Sequence, residues 1–322
     1  MTATIDELAR ALLAHKRVAV IAHVSPDGDT LGSSLAIARA LERRGVEARV
    51  TCHDAPPAMY AFLPGVERVV KPDELGFKAD MAFFVDVSAP DRAGDALRLA
   101  QGVDSALIDH HATNPLFCPL CVVRERAAST GEMALELIRA LGVEPDREMG
   151  VLLYAAIATD TGNFSYSNTT PEALRAVADL ISGGLDIDRY NRLLFRTRSL
   201  GRTRLIGWGL SRMRFACEGR LAYVVLTPEA FAQCEASRAD TEGLVNFLIE
   251  TQGVEAAFLA EERPGALKVS MRSLERVDVA RVAAGLGGGG HARAAGVTLN
   301  CPPGEALERI LDALKGAIEE QP

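Results

Sequence analysis

RVAVIAH (Arg17–His23), followed at once by VSPDGD (Val24–Asp29), is the stretch on which the fold turns. A short, unbroken apolar run of this kind reads as a strand buried on both faces. Thr30–Arg44 then carries Leu31, Leu35, Ala38 and Leu41 on one helical face, and Gly45 is a C-terminal stop. Val46–Cys52, Met81–Asp86 and Ala106–Asp109 are further candidate strands. Strands alternating with helices predict a doubly wound, mostly parallel α/β sheet. Ligands of such sheets bind beyond the carboxyl ends of the strands, so polar residues placed there carry functional weight.

Downstream of Thr130 the pattern becomes helical, over Thr130–Leu141, Arg147–Thr159, Pro171–Ser182 and Ile187–Leu194. Pro171 suits a first helical position, and Gly183-Gly184 is a stop. Strands return at Leu221–Leu226, Ala256–Ala260, Leu267–Arg272 and Val297–Leu299, and Pro303–Glu319 closes the chain as a helix. The expected division is residues 1–188, a helical linker over 189–215, and a smaller α/β domain over 216–322, with the active site in the cleft between the domains.

A chain of 322 residues suits two domains, and 48% apolar with 24% charged residues is ordinary for a globular protein. Met1–Lys16 reads as an amphipathic helix, not a leader, and no run of about 18 apolar residues occurs, so a cytoplasmic protein without a membrane partner is expected. Six scattered cysteines argue against a disulfide framework and fit a reducing compartment. The lone C-x-x-C, Cys118 and Cys121, lacks the second pair of a structural zinc site and reads as two ordinary thiols. A net charge of −8 disfavours long duplex nucleic acid. Arg189, Arg192, Arg196, Arg198, Arg202, Arg204, Arg212 and Arg214 form one basic stretch, either a solvated face or a wall beside an anionic substrate.

Four acid- or histidine-rich segments fall at element ends: His23-x-x-x-Asp27-x-Asp29, Asp86, Asp109-His110-His111, and Asp160. A single Asp after a strand is usually a turn or a helix cap. A set of them at apolar strand ends needs neutralising, because unpaired buried charge is expensive. Two divalent cations bridged by one carboxylate would neutralise it, and a site of Asp and His without thiolate favours harder ions such as Mn²⁺ or Mg²⁺. Such a site suits in-line attack of metal-activated hydroxide on phosphorus. In the second domain, Gly285-Leu-Gly-Gly-Gly-Gly-His291-Ala-Arg293 contains a formal G-x-G-x-x-G, but a helix precedes it where a dinucleotide fingerprint needs a strand. It reads instead either as an anion-holding nest with His291 and Arg293, or as a plain turn.

These residues resemble the DHH phosphoesterases, and GGGGHARAAG (Gly287–Gly296) resembles the signature of their DHH-associated C-terminal domain. AHVSPDGDTLGS (Ala22–Ser33) is similar to the nanoRNase branch, whose members act as oligoribonuclease and 3′-phosphoadenosine 5′-phosphate (pAp) phosphatase. The resemblance spans essentially the whole chain. It implies that His23, Asp27 and Asp86 hold one metal and that Asp29, Asp86, His110 and Asp160 hold the other. Asp109 would orient His110, and His111 would contact the scissile phosphate. Arg272, Gly288, Gly289, Gly290, His291 and Arg293 would bind the far end of the substrate. Ser129–Glu132 resembles a family segment near the substrate, though a helix N-cap explains it equally well.

The implied cofactors are two divalent cations, Mn²⁺ first, with Mg²⁺ or Co²⁺ as substitutes. The implied substrates are short RNA oligonucleotides and pAp, and the implied assembly is a monomer or homodimer. A cyclic- or linear-dinucleotide phosphodiesterase is the nearest rival. With 5% aromatics the chain has little for stacking the bases of a processive exonuclease. The glycine-rich tail disfavours a pyrophosphatase, and the full ligand set disfavours a non-catalytic binding protein. His15 and His53 match nothing and read as structural or surface residues.

Overall fold

A computed structural model describes residues 3–319. The chain divides into two compact units between Thr197 and Arg198. In the first, helix α1 (Ile5–Leu13) leads into strand β1 (Arg17–Ile21), α2 (Gly28–Arg43), β2 (Glu47–Thr51), β3 (Met81–Val85), β4 (Asp104–Asp109) and β5 (Leu120–Val123). Helices α3 (Thr130–Ala140), α4 (Arg147–Asp160), α5 (Pro171–Ser182) and α6 (Ile187–Asn191) complete it, the last running into a π-helical turn at Arg192–Arg196. Met1 and Thr2 of the expected first helix lie outside the described residues.

The five strands pair in parallel in the order β2-β1-β3-β4-β5. Alternate residues serve opposite faces, as strand periodicity requires. Val18, Val20, Phe83, Val85 and Ile108 join one core under the helices, while Ile21, Ala82, Phe84 and Leu107 join another. The second face is covered by short 3₁₀ helices within Pro90–Ala100, broken at Gly94. Sequence reading missed β5, four residues that include Cys121. Cys118 and Cys121 are buried free thiols; burial pushes the Cys118 thiol up to about 12, so the pair is an unreactive part of this core.

The strand order places the topological switch between β1 and β3, the position where open α/β sheets bind ligands. Helix α4 closes on that position through close backbone packing. A Cβ on Gly32 of α2 would lie 2.3 Å from the Leu152 carbonyl oxygen, and one on Gly131 of α3 would lie 2.4 Å from the Ala156 Cβ, both in α4. Side chains there would drive the helix outward and carry Asp160 with it.

The second unit begins with α7 (Leu200–Leu210), followed by β6 (Arg214–Ala216), β7 (Leu221–Leu226), α8 (Pro228–Cys234), α9 (Leu244–Ile249), β8 (Ala256–Arg263) and β9 (Ala266–Ser273). Helix α10 (Val279–Gly285), β10 (Gly289–His291), β11 (Ala294–Leu299) and α11 (Pro303–Glu319) end it. Its six strands run β10-β11-β9-β8-β7-β6, with only β7 and β8 parallel. Residues 198–210, expected as linker, belong to this unit: Leu205 and Ile206 of α7 pack with Val224, Leu226 and Leu244. The basic stretch is accordingly split between the units. Several of its members are engaged, with Arg189, Arg198 and Arg212 over the rings of Tyr190, Phe247 and Trp208, and Arg204 on Glu235 at 2.8 Å. Among the described residues no helix is long and apolar enough to cross a membrane.

Candidate metal centre and its surroundings

Three strand ends and two helix ends bring the acidic residues of the first unit together. His23 follows β1, Asp86 follows β3, and Asp109 ends β4. Asp27 caps α2, its Oδ1 accepting from the Asp29 and Thr30 amides at 3.0 and 3.1 Å. Asp29 lies in the first turn of the same helix, and Asp160 is the last residue of α4. Asp86 holds a left-handed φ of +61°, which Asp tolerates better than most residues. Its amide donates to the Ile108 carbonyl at 2.9 Å, so the turn is tied to β4.

The cluster sets the imidazoles of His23 and His110 among the carboxylates. His23 Nε2 lies 3.6 Å from Asp27 Oδ1 and 3.5 Å from Asp86 Oδ2. His110 Nε2 lies 3.2 Å from Asp160 Oδ2, 3.7 Å from Asp86 Oδ1 and 3.9 Å from Asp29 Oδ2. Two ligand groups that share no residue result, His23/Asp27/Asp86 and Asp29/His110/Asp160, and a third, Asp86/His110/His111, overlaps both; in each the ligand atoms lie within 4.8 Å of one another. Ligands about 2.1 Å from a hard divalent ion stand about 3 Å apart when at right angles, so these separations suit one ion per group. Asp86 lies within reach of both groups through its two oxygens.

The ring tautomers fit the same purpose. His23 Nδ1 is 2.8 Å from the Val24 carbonyl oxygen and His110 Nδ1 is 3.3 Å from that of Ala127. A carbonyl oxygen can only accept, so both Nδ1 atoms carry a proton, and Nε2 of each ring, which faces the carboxylates, is the nitrogen left to ligate a cation. Asp29 and Asp86 are held in turn from α3. The Thr130 and Gly131 amides donate to Asp29 at 2.7 and 2.8 Å, and the Thr130 hydroxyl donates to Asp86 at 2.9 Å. Ser33 also donates to Asp29, at 3.0 Å. Ser129 does cap α3, donating nothing but accepting from the Glu132 amide at 3.2 Å, so this segment serves both as a cap and as a support of the site.

Asp109 is engaged differently from the expectation. Its Oδ1 accepts from His111 Nδ1 at 2.7 Å and from the His110 amide at 2.8 Å, and its Oδ2 accepts from Asn114 Nδ2 at 2.6 Å. It therefore orients the ring of His111, not that of His110. His111 Nδ1 lies 3.7 Å from Asp86 Oδ1, but the Asp109 bond occupies that nitrogen, so His111 is not a ligand. The bond to Asp109 also raises the His111 pKa against the opposing effect of burial, so the half-exposed ring holds a proton that its free Nε2 can offer outward. Asn114 and Thr130 are contributors that the sequence did not single out. Asn114 lies three residues past the Asp109–His111 motif in a loop with no pattern to mark it, whereas Thr130 stands inside the Ser129–Glu132 segment.

The protonation equilibria of the cluster reflect its excess of negative charge. Burial drives the Asp29 carboxyl well above its ordinary value, and Asp86, Asp160 and Asp27 push it further. Burial, with Asp86 and Asp27 adding to it against the opposing His110, raises Asp160 to about 6. Burial opposes protonation of His23, yet hydrogen bonds to Asp27 and Asp86 outweigh it and carry its pKa to about 10. These groups hold protons where cations would sit. Because the folded chain binds the His23 proton more tightly than the ordinary value of 6.5 allows, that stabilisation is complete below 6.5 and lost as pH rises toward about 10. The Asp160 proton acts in the same direction between 3.8 and about 6. Chelator-treated protein should therefore show a melting temperature that falls as pH is raised from 6.5 to 9, and saturating Mn²⁺ should flatten or reverse that slope. Thermal unfolding across this range, with chelator and with Mn²⁺, checks it; a melting temperature of the chelated protein that climbed with pH would contradict the charge account.

In the second unit, the pairings His291 with Ala294 and Ala294 with Arg272 place Arg272 and His291 in one row, on one face of three adjacent strands. His291 is exposed. Arg293 ties its guanidinium to the carbonyls of Val277 and Glu275 at 2.9 and 2.5 Å, so it braces the loop before α10. The glycine run is neither nest nor plain turn, because Gly289–His291 forms the edge strand β10. A Cβ on Gly288 would lie 2.3 Å from the Gly296 carbonyl oxygen, and one on Gly290, at φ +143°, 2.5 Å from the Ala295 Cα. Both are required by the approach to β11, whereas Gly289 meets nothing within 4 Å and leaves open space.

Comparison with known proteins agrees with this architecture. Residues 17–157 match the DHH family, N-terminal domain, and residues 220–320 match the DHHA1 domain. The bifunctional oligoribonuclease and PAP phosphatase NrnA of Thermus thermophilus is 36% identical, over 92% of this chain and 88% of that protein. The protein of the same name from Bacillus subtilis is 25% identical over 98% of each. Among solved structures, an exopolyphosphatase-related protein from Bacteroides fragilis superposes with a TM-score of 0.91 at 28% identity, covering 97% of this chain and 95% of that one.

Proposed function

This chain belongs to the DHH family, and from that premise and the metal centre we propose that it hydrolyses short RNA oligonucleotides to mononucleotides and pAp to AMP. The observation that carries the reading is the His111–Asp109 pair, a proton donor aimed outward beside two cation-ready carboxylate groups. His23, Asp27 and Asp86 would hold one divalent cation, and Asp29, Asp86, His110 and Asp160 would hold the other. The donor set of carboxylate and imidazole favours Mn²⁺, with Mg²⁺ or Co²⁺ as substitutes. When bound, the cations supply Lewis acidity and lower the pKa of water at neutral pH.

The protein's own residues do the rest. Asp109, fully buried and fixed by Asn114, keeps the His111 Nδ1–H in place. His111 Nε2–H donates to an oxygen of the phosphate under attack and offsets the charge that develops there. Thr130 and Gly131 hold Asp29 and Asp86 in fixed rotamers, so the ligands need little rearrangement when loaded. Arg272 and His291, with close backbone approach at Gly289, bind the phosphate or nucleoside at the other end of the substrate. Gly288, Gly290 and Arg293 shape that surface by holding β10 and the loop before α10. The enzyme acts in the cytoplasm, as a monomer or homodimer; its free thiols support a reducing compartment.

Hydrolysis of a 5′-phosphorylated diribonucleotide, pAp and a cyclic dinucleotide, each with Mn²⁺ and with chelator, tests the reading. Metal-dependent release of mononucleotides and AMP, with the cyclic compound untouched, is expected; preference for the cyclic compound would move the protein to dinucleotide signalling. His291→Ala should raise KM for pAp at least about tenfold, as loss of a charge-assisted contact of 1.5–3 kcal/mol implies. An aryl phosphate, which lacks the second phosphate, should be affected much less. Equal losses on both would remove His291 from the substrate's far end.

A further inference from the structure

Arg92 stands against His23 without a carboxylate of its own: its Nη2 lies 3.2 Å from His23 Nδ1, and among the described residues it forms no ion pair. The position is fixed through the main chain. The Val24 amide donates to the Arg92 carbonyl at 2.7 Å, and the Arg92 amide donates to that of Ala89 at 3.0 Å. The residue is half-buried, in the single-turn helix that follows the Asp86 turn.

Its contact with His23 cannot persist in a loaded site. Nδ1 must keep its proton, given to the Val24 carbonyl at 2.8 Å, for Nε2 to serve as a ligand. A protonated Nδ1 has no lone pair for a guanidinium, so all five Arg92 N–H groups are then without a fixed acceptor. A half-buried guanidinium free of carboxylates, at the rim of a site that handles phosphate, has one natural counterpart. Its planar fork matches two oxygens of a phosphoryl group.

We propose that Arg92 is a phosphate-binding residue of the first unit, taking two non-bridging oxygens of the phosphoryl group that His111 also contacts. This rests on the phosphoesterase reading. It divides the work around that phosphate: His111 supplies the proton, and Arg92 supplies a permanent charge and orientation. Because the contact is made to the reacting group and not to the nucleoside, it serves oligonucleotide, pAp and simple phosphate esters alike.

Arg92→Met and Arg92→Lys test it against wild type in three measurements. Titration calorimetry of the Mn²⁺-loaded proteins with inorganic phosphate should show binding weakened at least about tenfold in Arg92→Met, and less in Arg92→Lys, which keeps the charge but loses the fork. KM for pAp and for an aryl phosphate should rise by a similar factor as each other. Mn²⁺ affinity, measured separately, should stay within about twofold of wild type, since Arg92 is not a ligand. Unchanged phosphate binding in both variants would overturn the proposal. So would loss of Mn²⁺ affinity with KM intact, which would make Arg92 a positioning residue for His23. Wild-type inactivity on every phosphate ester would instead defeat the phosphoesterase reading itself, so the two failures are distinct.

Discussion

Asp86→Ala should lower kcat for pAp and for diribonucleotide by about three orders of magnitude or more. Among the described residues Asp86 is the only carboxylate whose two oxygens reach toward both His23 and His110, at 3.5 and 3.7 Å, so its loss opens both ligand groups at once. Cations contribute several kcal/mol of charge stabilisation to such reactions, and each 1.36 kcal/mol is roughly tenfold in rate. Alanine brings a second effect, because the left-handed φ of +61° costs a non-glycine residue about 1–2 kcal/mol and alanine lacks the local hydrogen bonding of Asp. Asp86→Asn separates the two. It keeps a side chain suited to that backbone and removes a buried charge that raises the Asp29 pKa. The asparagine variant should be as inactive as the alanine one, yet melt higher than wild type in chelator. Turnover by Asp86→Asn within tenfold of wild type would remove Asp86 from its shared position.

Asp109→Asn should cost about 10²–10⁴ in kcat while leaving Mn²⁺ affinity nearly intact. The buried carboxylate accepts from three donors, the His110 amide, His111 Nδ1 and Asn114 Nδ2. An asparagine there must turn its NH₂ toward one of those donors, since only its oxygen accepts. If the amide faces His111, the ring changes tautomer and Nε2 becomes an acceptor, which a phosphate oxygen cannot use. An Asp-to-Asn change behind a catalytic histidine costs about 10⁴ in the serine-protease triad, which sets the upper end of the range. Single-turnover hydrolysis of an aryl phosphate, beside a Mn²⁺ titration, measures both quantities. Loss of Mn²⁺ affinity in step with kcat would instead make Asp109 a support of the ligands.

Most of the site was legible because its residues sit at ends of strongly patterned elements. The apolar runs Val18–Ala22 and Met81–Val85 locate β1 and β3, and the residues after them are the first polar ones available. The assignment of Asp109 was less accurate. Strand alternation carried two residues past β4 puts Asp109 and His111 on one side and His110 on the other, which is the pairing found. Strand β10 was illegible for a different reason: Gly289-Gly290-His291 has neither β-branched side chains nor alternation, and its existence depends on the backbone of β11. Residues 198–210 were read as part of a helical linker, and the helix is there; what local pattern did not show is that α7, with Gly201, Gly207 and Gly209 weakening its own preference, packs into the second unit's core.

The metal centre draws its side chains from positions 23 to 160, and its last member stands at the far end of α4, against α2. A chain emerging from the ribosome therefore carries most of the ligand residues long before it carries a site. Asp160 joins the other carboxylates only when α4 settles onto the glycines of α2 and α3. Docking of that helix and completion of the candidate metal centre are thus one late event in biogenesis.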